Sequence, residues 1–310
     1  MTKRAIQTKK RRDFHVAALL AVLFLIPALI FPKVLSDGVR NGIKLSVLGV
    51  IPSVFPFFVV SDALLSLPSR GGGFCGRVFS RLLGIPAPGL RAFLIGTVCG
   101  FPIGVKIASE LYVGGNLKKE EAERLMGIST NPSVAFVISA VGVGFFGSLK
   151  TGLLLYSLTI LSALITGIIF KEKIIKSNFS TDISGQKFDF VSSVKNAGLS
   201  SITVSSYIIF FSALSGVLNN VLGNGIFTLV TISLLEVSGA VKAVFESTLI
   251  PPDLILPTVC FVLAFSGICV HFQARSVASC ELSFKKFTVM KITQAILCFV
   301  LCYTVNLLLK

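Results

Sequence analysis

The chain has 310 residues, of which 53% are hydrophobic and 14% charged, and 29 Lys and Arg against 14 Asp and Glu give a net charge of +15. A water-soluble globule of this composition would expose far too much apolar surface, so the chain is read as an all-α polytopic membrane protein. The positive charge is topogenic rather than a nucleic-acid surface, since no basic stripe is interleaved with stacking aromatics.

Residues 1–15 are a basic tail carrying Lys3, Arg4, Lys9, Lys10, Arg11 and Arg12. The apolar run at 16–35 follows, and no small-x-small site at Pro32 to Asp37 marks a cleaved signal, so it reads as a retained first transmembrane helix. Further apolar segments lie at 45–66, 132–147, 151–170, 198–218, 254–272 and 292–309. With the first they make about seven spans of roughly 20 residues. Asp62 is a lone acid near the end of the second span and ranks as secondary. Seven cysteines show no C-x-x-C pair; free thiols are expected, with no metal site.

Two apolar segments, 92–111 and 226–249, are broken. The first holds Gly100, Phe101, Pro102, Ile103 and Gly104, with Lys106 just beyond; the second reads LEVSGAVK at 235–242. Hydrocarbon offers the backbone no hydrogen bonds, so such breaks survive only where they are buried in protein or line a wet cavity.

Charge decides the topology. If every apolar segment crossed the membrane, the loops carrying Arg70, Arg77, Arg81 and Arg91, and then Lys118, Lys119 and Arg124, would face opposite sides against the positive-inside bias. If 92–111 and 226–249 are instead re-entrant hairpins from opposite faces, the N-terminus, 67–91, 112–130, 171–197 and 273–291 all fall inside and hold 22 of the 29 Lys and Arg. The loops 36–44, 148–150 and 219–225, the Glu246 and Asp253 region and the C-terminus fall outside. PSVAFVISAVGVG at 132–144 also lies over PTVCFVLAFSGIC at 257–269. The two units would be inverted repeats, which places a substrate site near the midplane.

At the first tip Gly100 and Gly104 allow close backbone approach, Pro102 stops the helix and Lys106 supplies a cation; close packing of the Gly96, Gly100 and Gly104 row is the competing reading. At the second, Glu236 and Lys242 either neutralise one another or flank a substrate and a coupling ion, with Ser238 and Gly239 between them. Asn131 and Ser133, around Pro132, are either ligands of a polar solute or a simple helix cap. His271 and Gln273 lie near the inside face. No H-E-x-x-H or G-x-S-x-G motif occurs, so no enzyme is expected. No cofactor is expected either, and coupling stays open between H⁺, Na⁺ and a solute running down its own gradient.

GFPIGVKIASEL, the stretch EEAERLMGISTNPSVAFVISAVGVGFF at 120–146, LLEVSGAVKAV and FSGICVHFQARS resemble the YlbJ family of sporulation integral membrane proteins, within the nucleoside-recognition or Gate-domain superfamily. The likeness covers about residues 40–290. It implies a Gate-like repeat at 40–170 with its hairpin at 92–111, a cytoplasmic loop at 171–197, and an inverted Gate-like repeat at 198–309 with its hairpin at 226–249. These would be similar to the halves of concentrative nucleoside transporters. It also implies movement of dipicolinic acid across the outer forespore membrane in a host that sporulates. A nucleoside or another carboxylate, or a non-transporting scaffold, are the alternatives. The expected partners are a small anionic solute and the lipid bilayer, with no nucleic acid and a homo-oligomer left open. The N-terminus is expected in the cytoplasm.

Overall fold

Inside hydrocarbon a backbone must satisfy its own N–H and C=O groups, so apolar runs fold as helices. The computed structural model of the protein is accordingly helical almost throughout. It describes residues 25–66, 73–172, 188–223 and 225–308, together with residue 22 and the pairs 69–70 and 182–183. The basic tail at 1–15 lies outside the described residues.

In chain order, α1 (Pro32–Leu45) passes through a π-helical turn at Ser46–Val50 into α2 (Ile51–Ser66). Then come α3 (Gly73–Leu83), α4 (Pro88–Cys99), α5 (Ile103–Val113), α6 (Lys119–Ser129) and a π-helical stretch at Phe136–Val143. The remaining helices are α7 (Leu149–Ile169), α8 (Phe190–Leu222), α9 (Ile226–Leu235), α10 (Val237–Phe245), α11 (Pro252–Phe265), α12 (Gly267–Val277) and α13 (Phe284–Leu308). Among the described residues four helical segments are long and apolar enough to cross a membrane: Leu149–Ile169, Phe190–Leu222, Pro252–Val277 and Phe284–Leu308. The number is up to six if each of two bent pairs is one span; α3 with α4 turns by 89°, and the other pair by 47° between Val50 and Val54. Pro52 has no N–H to give the preceding turn, and the bend falls there.

Several expected loops are helical instead. Residues 36–44 belong to α1, which packs along α8. A Cβ on Gly38 would stand 2.8 Å from Ala213 Cα, and one on Gly42 2.6 Å from Ile209 Cα, so the missing side chains let the two helices close. Residues 119–129, within the expected inside loop 112–130, form α6, and Glu121, Glu123 and Arg124 on it are buried. Helix α8 already begins at Phe190, inside the expected loop 171–197, and α13 begins at Phe284 rather than at 292.

Side-chain contacts gather the loops at two ends. Arg124 donates to the carbonyls of Leu83 and Gly84 at 3.3 and 2.7 Å, Lys171 Nζ to that of Arg81 at 2.6 Å, and Lys286 pairs with Glu172. The backbone N–H of Ser283 donates to Glu123 at 2.7 Å, Tyr112 to Glu281 at 2.5 Å, and Ser69 pairs with Ile183 in a two-residue antiparallel ladder. Four stretches of the expected inside loops therefore share one end. At the other end Phe245 touches Phe145 and Phe146, and Asn306 Nδ2 donates to the carbonyl of Asp253 at 3.2 Å.

Two helical hairpins follow from this arrangement. Helices α4 and α5 start and finish at the loop-rich end and turn at Gly100 to Pro102; Gly100 takes φ 86°, a left-handed conformation suited to glycine. Their legs touch so closely that a Cβ on Gly96 would lie 2.7 Å from Gly104 Cα. Helix α8 passes Phe272 with Tyr207 and Phe211 on its way to the opposite end, α9 returns from there to Glu236, and α10 goes back to Phe245. The second hairpin thus spans 226–245 and ends four residues short of the expected 249.

Candidate functional site

The first hairpin is seated by glycine. A Cβ on Gly104 would sit 2.2 Å from the carbonyl oxygen of Ser129, and one on Gly100 2.6 Å from the backbone N of Ser133. The tip therefore rests on residues 130–133, a non-helical stretch between α6 and the next helix. Pro132 lacks the N–H that would continue α6, and Ser133 caps the following helix by accepting from the N–H of Phe136 at 3.2 Å.

One turn from the tip, Lys106 Nζ donates to Asp62 Oδ1 at 2.6 Å and lies 3.9 Å from Glu110 and 5.9 Å from the centre of the Phe58 ring. These charges line a cavity of about 530 Å³. Its opposite wall is a polar face of α8: Ser192, Asn196, Ser200 and Thr203 recur at helical spacing and all line it. Asp189, Ser276 and Val277 place the cavity toward the loop-rich end.

Beyond the tip lies a second polar cluster. Lys291 of α13 is fully buried and donates to the carbonyl of Thr130 at 2.6 Å and to Gln294 Oε1 at 2.9 Å. Gln294 Nε2 donates to Asn131 Oδ1 at 2.8 Å and to the Thr159 carbonyl at 3.2 Å, while Asn131 Nδ2 donates to the carbonyl of Ile128 at 2.7 Å. Each of these polar groups has a partner, as burial requires.

Broken helices, a charged cavity and a satisfied polar layer thus lie close together around the first hairpin. The chain is similar to the sporulation integral membrane protein YlbJ of Bacillus subtilis (strain 168). The two are 29% identical over 153 residues, which is 48% of this chain and 38% of the relative. No family model matches the chain, and no solved structure matches it. With the apolar helices, this relative makes the chain a multi-pass integral membrane protein related to a sporulation membrane protein.

The structure brings Gly100, Pro102, Gly104 and Ser133 together at the first tip, with Asn131 in the layer behind. It does not bring the two breaks' charges together. Glu236 turns back on its own chain: its carboxylate accepts from the N–H groups of Ser238 and Gly239 at 2.8 and 2.7 Å and caps α10. Lys242 is 62% exposed and its ion-pair partner is Glu246 at 4.0 Å, so it neither pairs with Glu236 nor faces Lys106. The second break packs instead on the one between α11 and α12, where a Cβ on Gly267 would lie 3.0 Å from the Leu235 carbonyl oxygen.

His271 bonds through Nδ1 to the Gly267 carbonyl at 2.9 Å and packs between Phe265 and Phe287; its Nε2 is buried without a hydrogen-bond partner. Gln273 donates to Cys269 Sγ at 3.2 Å. All seven cysteines are free, and no group of His, Cys, Asp and Glu among the described residues could hold a metal. Asp62, Glu110 and the serine-rich face of α8 line the cavity although sequence reasoning passed over them or ranked them low. Asp62 as a lone acid in an apolar run, Glu110 four residues after Lys106 and the helical spacing of the α8 face were their local signals.

Proposed function

We propose that the chain is a transporter that carries a small polar solute, in the first instance a carboxylate such as dipicolinate, across a membrane of a sporulating cell. The observation that carries this reading is the charged cavity at Lys106, which lies toward the loop-rich end and reaches α5 one turn below the tip of the first hairpin. Hairpins entering from opposite ends suit alternating access around a central site. In this reading the loop-rich end is cytoplasmic because it gathers the basic loops. The two hairpin units act as inverted, Gate-like repeats.

Within the cavity an anion finds Lys106 one turn below the tip. Lys106 is held by Asp62, so an incoming carboxylate takes it in exchange for that partner. A second reading has its own observation: among the described residues lining the cavity Asp62, Glu110 and Asp189 stand against Lys106, which favours a zwitterionic or cationic solute. Uptake of labelled dipicolinate, a nucleoside and a zwitterionic amino acid into vesicles holding the purified chain separates these readings. Saturable dipicolinate uptake supports the first, uptake of the amino acid alone supports the second, and uptake of none points to a membrane scaffold.

A further inference from the structure

A lysine buried in a membrane helix without an acid is expensive, and it marks a functional position by default. Lys291 meets that description. It is fully buried on α13, and no Asp or Glu among the described residues lies within ion-pair distance of it. Its acceptors are neutral oxygens, the Thr130 carbonyl and Gln294 Oε1. Thr130 is the C-terminal cap of the interrupted helix α6, so the ammonium stands at the negative end of a helix dipole. Unwound carbonyls and half-helix C-termini are where secondary transporters hold a coupling cation. Here the chain supplies that cation itself.

We infer that Lys291 is the coupling group of transport, its ammonium standing in for a bound Na⁺ at the end of α6 and cycling by loss and regain of one proton. The inference rests on the transporter reading above. In the outgoing step one N–H bond of the ammonium breaks, its electron pair stays on nitrogen and the proton passes to water; the return step reverses this. The neutral amine no longer attracts the end of α6, which loosens residues 130–133 and the Gly100 tip resting on Ser133. The titratable groups around Lys291 are few. They are His271 from α12 and Cys298 of α13, with Cys260 of α11 and Cys302 next to Cys298, while α7 presents the neutral Thr159 and Ser162. Glu123 and Arg124 are engaged at the far end of α6.

The test uses the full chain in proteoliposomes, with dipicolinate in counterflow and in net uptake under a pH gradient, with Na⁺ present or replaced by choline. The wild type is expected to accumulate solute without Na⁺, to a ceiling of about tenfold per pH unit for one proton per solute. Lys291→Gln and Lys291→Met are expected to keep counterflow and lose the gradient-driven accumulation. A Na⁺ requirement in the wild type, or undiminished accumulation in both variants, overturns the inference. Failure of counterflow in the wild type strikes the transporter reading instead, so a second readout decides the lysine separately. Hydrogen–deuterium exchange of residues 128–133, corrected for the intrinsic rate, should quicken at least about threefold between about pH 6 and pH 9 in the wild type and stay flat in Lys291→Gln. The same pH response in both chains overturns the lysine's role.

Discussion

The ion pair at the cavity can be measured directly. Lys106 Nζ and Asp62 Oδ1 are 2.6 Å apart and their side chains are 17% and 18% exposed, so the pair belongs neither to the surface nor to a dry core. At that separation Coulomb attraction is about 1.6 kcal/mol with the dielectric of water and about 6 kcal/mol with an effective constant of 20. Desolvating both charges takes back several kcal/mol of the larger figure. A coupling of about 1–3 kcal/mol remains. The perturbation is a double-mutant cycle of Asp62→Asn and Lys106→Met, read as unfolding free energy in detergent. Lys106→Met alone should cost more than the double variant, because it leaves Asp62 without its cation. Glu110, 3.9 Å from the same nitrogen, takes over part of the attraction when Asp62 is neutralised, so the cycle repeated in a Glu110→Gln chain should give a larger coupling. A coupling below about 0.5 kcal/mol, the value of a solvated surface pair, would refute the reasoning.

Gly104→Ala should destabilise by about 1–3 kcal/mol, since its Cβ would meet the Ser129 backbone at 2.2 Å; Gly198→Ala, whose Cβ meets nothing within 4 Å on a helix, should stabilise by up to about 1 kcal/mol. Thermal unfolding of the two variants checks the contrast. Glu236→Ala should cost about 0.5–2 kcal/mol through loss of the α10 cap, whereas the exposed Lys242→Gln should leave both stability and solute movement unchanged. Glu172 supplies a pH dependence. The hydrogen bond from Lys286 holds its carboxyl below the usual range, so its stabilisation is complete above the unfolded carboxylate value and is lost as pH falls through the lower folded one. Glu172 is about half exposed, and solvent screening keeps the effect under about 1 kcal/mol. Glu172→Gln should therefore lower the melting point at neutral pH and leave it unchanged near pH 3, measured side by side with the wild type.

The helix breaks were legible because they violate a local rule: Gly and Pro at 100–104, and Glu236 in the apolar run at 235–242, cannot sit in plain hydrocarbon. Charge counting alone also put both ends of the first hairpin on one side. The rest needed tertiary contacts. Asp62 precedes Lys106 by 44 positions, and nothing local joins them. Helix α6 reads as a surface loop because it is charged, yet backbone groups from distant loops bond the terminal nitrogens of Arg124 and the Glu123 carboxylate and allow the burial. Lys291 stands near the basic residues of the 273–291 stretch and reads as one of them, although it lies well inside α13. The polar face of α8 was available as a four-residue period, but its first turns fell in a stretch read as loop.

The central claim is that a solute crosses through the Lys106 cavity, and counterflow tests it without any assumption about driving ions. Liposomes holding the purified chain and preloaded with unlabelled dipicolinate should take up labelled dipicolinate transiently, and Lys106→Met should abolish that uptake in protein of unchanged folding. Counterflow equal to that of protein-free liposomes, or undiminished in Lys106→Met, would contradict the account.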